Sequence, residues 1–407
     1  MSIIIPNRGQ QAVIDAGVKM LKSGNQQVFQ FVGNPGTGKS FVLAEIIRQS
    51  GISPERVAAM AYTGTAANVM RKKGLYNAKT IHSTLYEAID VPLISNGKPV
   101  MDTYLNVPVM VTKFIPKPVS DIDVFVFDEG SMIPWHMKQE IESRGIPIIV
   151  TGDLDQLPPV GDKPAYLTDG NVMVLDEIMR QALDSPIIYL SQRAKHGLPI
   201  HCGLYGNYYN QEVLVIERND IRPDMYINSQ AVLCSKNKTR DQLNDLIRRM
   251  RGYSGMLPGY GEKVICRKNS HRYEVEGITL ANGLMGYVLN RPDVSGLGKD
   301  KTFRMDFQPF ITQYPMMDLK VDFNYFNGDH ETRRRIKEAK YYTAGEKFEL
   351  AYAITVHASQ GSQYDCGVYY EEYLGLGPDI QRKLNYTAIS RFANRMIYIK
   401  EPVKKYF

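Results

Sequence analysis

No uninterrupted apolar stretch in the 407 residues approaches the roughly 20 that cross a bilayer, so nothing reads as a membrane-spanning helix. The opening MSIIIPNRG lacks the charged and apolar blocks of a secretory signal. Cysteine is scarce: Cys202, Cys234, Cys266 and Cys366 are scattered, with no CxxC pair and no zinc-ligand spacing. They read as reduced thiols of a cytoplasmic protein, and His201-Cys202 has no second pair with which to hold a metal. There is a single tryptophan, beside 26 tyrosines, and there are no internal repeats or low-complexity tracts. Charge is nearly balanced, 49 basic against 43 acidic residues, a net +6. That excess suits a polyanion partner but is too small to identify one.

What is present is an alternation. Residues 10–22 carry apolar side chains at helical spacing, residues 27–32 (QVFQFV) form a β-prone run, and residues 40–49 are helical again. VAAMAYT (57–63), DVFVFDE (123–129) and PIIVTGD (147–153) are further buried-strand candidates separated by helical segments. The pattern predicts a doubly wound α/β domain over residues 1–183. A second α/β pattern starts at residue 184, with AVLCSKN as a strand and TRDQLNDLIRRMR as a helix, and returns over 341–407. Two stretches break the rhythm. Residues 87–120, rich in Val, Pro and Ile around Asn96-Gly97, predict a β-hairpin inserted in the first domain. Residues 253–340 predict a small β-barrel inserted in the second. The charged run ETRRRIKEAK (331–340) reads as a solvated helix face.

Three segments carry chemistry. Gly33-Asn34-Pro35-Gly36-Thr37-Gly38-Lys39-Ser40 satisfies G-x-x-x-x-G-K-[S/T] in the strand–loop–helix context that this pattern requires. Its glycines let successive N–H groups curl around a phosphate chain. Lys39 would set a positive charge on the β and γ phosphates, Ser40 would ligate Mg2+, and the following helix adds its positive end. Asp128-Glu129, ending an apolar strand, supplies a magnesium carboxylate in Asp128 and a base for the attacking water in Glu129. The third is GDLDQLPPV (152–160), in which Gln156 is placed to sense the γ-phosphate.

Taken together, GNPGTGKS, FDEGSM and GDLDQLPPV resemble the superfamily 1 helicases, within them the phage Dda and RecD group. The likeness runs in order along nearly the whole chain. Asn7 and Gln10 resemble that group's N-terminal glutamine motif, which implies that Gln10 reads adenine. AYTGTAA (61–67) and KTIHSTL (79–85) resemble strand-binding motifs, LDEIMRQ (175–181) puts Arg180 at an ATP-contacting arginine, AITVHASQG (353–361) matches the fifth motif, and NYTAISRF (385–392) puts Arg391 at the γ-phosphate. GEKVICRKN…LANGLMGYV resembles an SH3-like barrel. The resemblance implies two RecA-like domains, ATP with Mg2+ in a cleft that includes Gly361, and single-stranded and fork DNA as partners, contacted by Thr63, Gly64, Thr65, Thr80, His82, Thr355 and His357. Such neutral polar groups fix a strand by its phosphates without reading sequence. It further implies 5′-to-3′ movement by a monomer-sized enzyme in the cytoplasm of a bacterial or phage-infected cell, working with replication or recombination proteins, and the inserted hairpin as a wedge.

Two positions depart from that pattern. Ala358 stands where a lysine usually follows the fifth-motif histidine, and Gly130 follows the acidic pair where a β-branched or other small residue is usual. Three other readings stay open on the residues alone: a translocase that remodels complexes without unwinding, an RNA helicase, and an ATP-switched single-strand-binding or loader protein. A small-molecule kinase is disfavoured by GDLDQLPPV and by the second ATP-facing domain.

Overall fold

The computed structural model describes residues 5–25, 27–72, 74–75, 77–101, 108, 110–159, 161–168, 170–177, 184–206, 211–276, 278–292, 301–338 and 345–402. The chain forms two compact units, one of Met1–Thr84, Pro118–Lys236 and Ile354–Phe407, the other of Leu85–Lys117 and Asn237–Ala353.

In the first unit the buried runs become strands β1 (Val28–Gly33), β2 (Val57–Ala61), β3 (Lys79–Thr80), β4 (Val124–Phe127), β5 (Ile148–Gly152) and β6 (Val172–Leu175). They form one parallel sheet in the order β6-β1-β5-β4-β2-β3. Parallel strands are covered on both faces, so β2, β4 and β5 are buried throughout rather than alternating. Helices α1 (Arg8–Lys22) and α2 (Lys39–Ser50) pack on each other and on the sheet, closing a core of Val13, Ile14, Phe31, Val42, Ile46, Val126 and Ile149. Each such side chain contributes about 1.5–3 kcal/mol by burial. Gly17 permits the close approach of the two helices, since a Cβ there would lie 2.8 Å from Ile46 Cδ1. Because all strands run the same way, Gly33, Ala61, Phe127 and Gly152 end at one edge of the sheet, where α/β folds bind ligands.

A second sheet in the same unit contains β7 (Gly203–Gly206), β8 (Glu212–Glu217), β9 (Ala231–Cys234), β10 (Ala353–Thr355), β11 (Tyr364–Tyr370) and β12 (Phe392–Lys400), ordered β7-β8-β12-β11-β9-β10. The β8-β12-β11-β9 core is parallel, with β7 an antiparallel edge. Helices α3 (Gly64–Lys72), α4 (Pro186–Lys195) and α5 (Pro378–Ile389) complete the parts used below. Among the described residues no helix is long and apolar enough to cross a membrane.

The second unit holds an antiparallel five-stranded sheet in the order Met316–Asp322, Thr302–Pro309, Met285–Val288, Lys263–Cys266, Phe348–Leu350 around Val264, Phe303, Phe307, Leu319 and Phe348. Its buried Glu349 would be pushed up by burial, but the guanidinium groups of Arg267, Arg240 and Arg333 bring it down to about 2. Helix His330–Glu338 exposes Glu331, Arg334 and Arg335 as expected, yet Arg333 turns inward, 3.0 Å from Asp241 and donating to Tyr325 O and Phe326 O.

The hairpin is nested rather than simple. Tyr86–Pro92 pairs with Met110–Pro116 as the long ribbon. Asn96-Gly97 does not turn that ribbon but closes a smaller one, Ile94–Ser95 with Lys98–Pro99, through left-handed φ values of 50° and 75°. Farther on, Met101 bridges Pro108.

Candidate active site and strand face

The loop after β1 is shaped by contacts that only glycine permits. Gly36 and Gly38 adopt φ of 86° and 82°, a Cβ on Gly33 would collide with Thr37 Oγ1, and one on Gly38 would lie 2.6 Å from Gln10 Nε2. Thr37 is buried and donates to Asn34 O at 2.9 Å. Lys39 Nζ folds onto the loop's own carbonyls, Gly33 O at 2.5 Å and Asn34 O at 3.3 Å. Gln10 is buried behind the loop. Its Nε2 donates to Thr37 O at 3.0 Å, its Oε1 accepts from Asn7 N–H at 3.0 Å, and its N–H donates to Asn7 Oδ1 at 2.7 Å. Asn7 and Gln10 thus cap α1 and tie it to the loop.

Asp128 and Glu129 follow β4. Asp128 Oδ1 accepts from Glu129 N–H at 2.9 Å, and Glu129 takes a left-handed φ of 54°, a strained backbone of the kind found where a side chain must be aimed. The neighbouring Gly130 is sterically required, because a Cβ there would collide with Val150 Cγ1 on β5. Burial, with the neighbouring Asp128, pushes the Glu129 carboxyl up against the opposing pull of Arg391.

Arg391, beyond α5, reaches back to this pair: its Nη1 lies 3.6 Å from Glu129 Oε1 and donates to Ser362 O at 3.4 Å. Arg391 is 5% exposed and its Nε has no protein partner; Gln156, also 5% exposed, has an unpartnered Oε1. Buried polar atoms of this kind require a ligand or water. All face one cavity of about 640 Å³. Of the residues predicted from sequence, its walls bring together Asn34, Pro35, Gly36, Gly38, Lys39, Ser40, Asp128, Glu129, Gln156, Gly361 and Arg391. Gly33, Thr37 and Gln10 stand behind the wall, and Arg180 lies outside the described residues. The glycine cradle, the N-terminal end of α2, Lys39 and Arg391 with its orphaned Nε–H fit a polyphosphate, and the oxygens of Ser40 and Asp128 are the hard ligands that Mg2+ takes.

Sequence reasoning missed the residues that bind the GDLDQLPP turn to the second sheet's helices. Leu157 N–H donates to Thr387 Oγ1 at 3.0 Å, and Leu157 O accepts from Gln360 Nε2 at 2.7 Å. Lys383 Nζ donates to Leu154 O at 2.8 Å, and Tyr386 OH bonds Asp153 Oδ2. Lys195, at the end of α4, pairs with Asp155 at 2.6 Å and donates to Asn34 Oδ1 at 3.1 Å. Tyr386 and Thr387 lie inside NYTAISRF and were within reach of inspection; Lys195 lies in no motif.

The strand-contact candidates are half-buried and locally bonded. Thr63 Oγ1 accepts from Ala66 N–H at 3.2 Å at the start of α3, which Gly64 opens. The Thr65 side chain is outside the described parts. Thr80 Oγ1 accepts from Ser83 N–H at 3.2 Å, and Thr355 Oγ1 from Ala358 N–H at 3.3 Å. Burial lowers both His82 and His357, in His82 with help from His136, so each is a neutral imidazole near pH 7. Gly361, with φ 73°, joins cavity to strand face: a Cβ there would lie 2.6 Å from Ala66 Cβ.

Residues 6–207 match the family model described as AAA domain. The chain is 23% identical over 426 residues to the ATP-dependent RecD2 DNA helicase of Deinococcus radiodurans, covering 96% of this chain and 49% of that protein. To the ATP-dependent DNA helicase PIF1 of Mus musculus it is 28% identical over 194 residues, covering 45% of this chain and 28% of that one. The chain spans about half the length of the first of these relatives, and less of the second. Among solved structures, Pif1 helicase from Candida albicans superposes with TM-score 0.51 at 18% identity, covering 98% and 95% of the two chains. Pif1 helicase from Bacteroides in complex with ADP-AlF3 and ssDNA superposes with TM-score 0.54 at 14% identity, covering 97% and 92%. The two parallel sheets therefore share the fold of RecA-like domains.

Proposed function

We propose that the chain is a superfamily 1 helicase that hydrolyses ATP to move along single-stranded DNA, 5′ to 3′, and to part the duplex ahead. The observation that carries this reading is the convergence of Lys39 and Glu129 from the first sheet and Arg391 from the second on one cavity, with Arg391 3.6 Å from Glu129. A site closed by a residue from each sheet links hydrolysis to their relative movement.

Bound ATP would supply the anhydride, and Mg2+ would supply counter-charge for its phosphates. Ser40 and Asp128 would hold the ion. Lys39 would leave the Gly33 carbonyl for the phosphates, with the α2 N–H groups behind it. Glu129, its carboxyl raised by burial, would take the proton of the attacking water. Arg391, with Arg180 in the same role by resemblance, would neutralise the charge on the γ-phosphoryl oxygens. Gln156 sits in the turn bonded to Thr387 and Gln360, so loss of the γ-phosphate would be felt along that turn and at Gly361, which abuts α3.

Thr63, Gly64, Thr65, Thr80, His82, Thr355 and His357 would hold the strand by neutral donors, and Ala358 leaves the fifth motif without a cationic contact. In this reading the inserted β unit is SH3-like, the nested hairpin is the wedge, and the enzyme is a monomer serving replication or recombination in a bacterial or phage-infected cytoplasm.

Strand separation on forks with a 5′ or a 3′ single-stranded tail tests the reading. Unwinding from the 5′ tail is expected, and unwinding from the 3′ tail alone contradicts the polarity. A protein that moves but separates neither fork is a translocase. Deleting Ile94–Pro99, the inner ribbon, should leave DNA-stimulated ATP hydrolysis intact and reduce base pairs opened per ATP. An unchanged ratio would remove the wedge.

A further inference from the structure

The chain's one tryptophan, Trp135, stands 51% exposed on a short ribbon. One arm of the ribbon follows the acidic pair and the other follows the GDLDQLPP turn. Ala165 N–H donates to Ile133 O at 2.7 Å, Trp135 N–H donates to Lys163 O at 2.8 Å, and Pro134 bridges Pro164. Each arm thus follows in sequence a segment that lines the cavity. Lys138 Nζ lies 4.8 Å from the Trp135 ring centroid and 5.6 Å from that of Tyr166, and Lys163 is exposed beside them. His136 pairs with Asp162 at 2.8 Å. His136 acts on His82 and Asp162 acts on Tyr62, whose ring lies 6.4 Å from that of His82, so the ribbon runs beside the candidate strand face.

The half-exposed indole meets the Lys138 ammonium and leaves about half of its surface to solvent. Set among lysines, it has the composition of a surface that takes unpaired bases: a π-face for stacking, which every base can use, and cations for the adjoining phosphates. We propose that Trp135 stacks on one base of the bound single strand, with Lys138 and Lys163 facing the neighbouring phosphates. The proposal rests on the reading of the chain as a single-strand motor and adds a contact which the phosphate-binding candidates lack. Because both arms follow cavity-lining segments, this base is the one whose grip would change with the nucleotide.

Because Trp135 is the only tryptophan, its emission reports on this position alone. A dye-labelled oligo(dT) is titrated into the full chain, with dye anisotropy and tryptophan emission recorded together. Saturable quenching that tracks the anisotropy is expected. Trp135→Ala should weaken binding about fivefold or more, and Trp135→Phe by less. Added salt should weaken all three proteins while leaving their ratios nearly unchanged, since stacking releases no counterions. Thermal melts of the variants separate misfolding from lost contact, and the wild-type quenching does not depend on them. Anisotropy that reports binding while emission stays constant and Trp135→Ala binds like wild type would overturn the stacking and leave the motor reading intact. Absence of any anisotropy change would instead fail the motor reading and the proposal with it.

Discussion

Lys39→Ala should lower ATP turnover about a thousandfold or more, with or without a single strand, because it removes the cation that meets charge developing on the β and γ phosphates. Its structural cost is small. Lys39 Nζ makes two hydrogen bonds, to Gly33 O and Asn34 O, each contributing about 0.5–1.5 kcal/mol net. The loop is also fixed by its glycines, by Thr37 on Asn34 O and by Gln10 on Thr37 O, none of which involves Lys39. The melting temperature should therefore fall by no more than a few degrees. Phosphate release and a thermal melt on the same preparation check both halves. Turnover within tenfold of wild type would show that the loop is not the catalytic phosphate site, and a collapsed melt would make Lys39 a structural residue instead.

Arg391→Ala should cost about 10³-fold or more in kcat at saturating ATP, the range for removal of an arginine from a phosphoryl-transfer site. Arg391→Lys should restore little, since an ammonium lacks the planar fork that reaches two oxygens at once. The substitution has a second consequence. Burial raises the Glu129 carboxyl and Arg391 is the main opposing influence. Without the guanidinium, the carboxyl rises further. Glu129 serves as base only when ionised, so activity is lost as pH falls through its pKa. In Arg391→Ala that acid limb should move to higher pH, a shift readable in the residual single-turnover rate. A kcat loss below tenfold, or an acid limb that stays in place, would remove Arg391 from the reacting phosphates.

What was legible in the sequence was what backbone geometry enforces locally. A phosphate loop needs glycine at left-handed positions and a cation at the helix start, and both requirements are written in consecutive residues. The buried strands were equally plain, because a parallel sheet covered on both faces reads as an unbroken apolar run. Gly130 looked like a departure from family pattern, yet the collision with Val150 makes glycine the residue that fits; the constraint comes from β5, distant in sequence. The resemblance implies that Gln10 reads adenine; in the fold its amide also joins Asn7 and Thr37 O. The bonds from Tyr386 to Asp153, from Thr387 to Leu157 and from Lys195 to Asn34 join residues far apart in the chain, and no spacing rule encodes them. The nested hairpin escaped for a different reason. Asn-Gly signals a tight turn but does not say which pair of strands it closes.

In the proposed motor, ATP turnover in the cavity around Lys39, Glu129 and Arg391 is driven by a bound strand. Steady-state ATP hydrolysis with and without single-stranded DNA, at saturating ATP and Mg2+ and with an RNA strand of the same sequence in parallel, tests it most directly. A low basal rate raised many-fold by the DNA strand is the expected result. A rate that the strand leaves unchanged would contradict it.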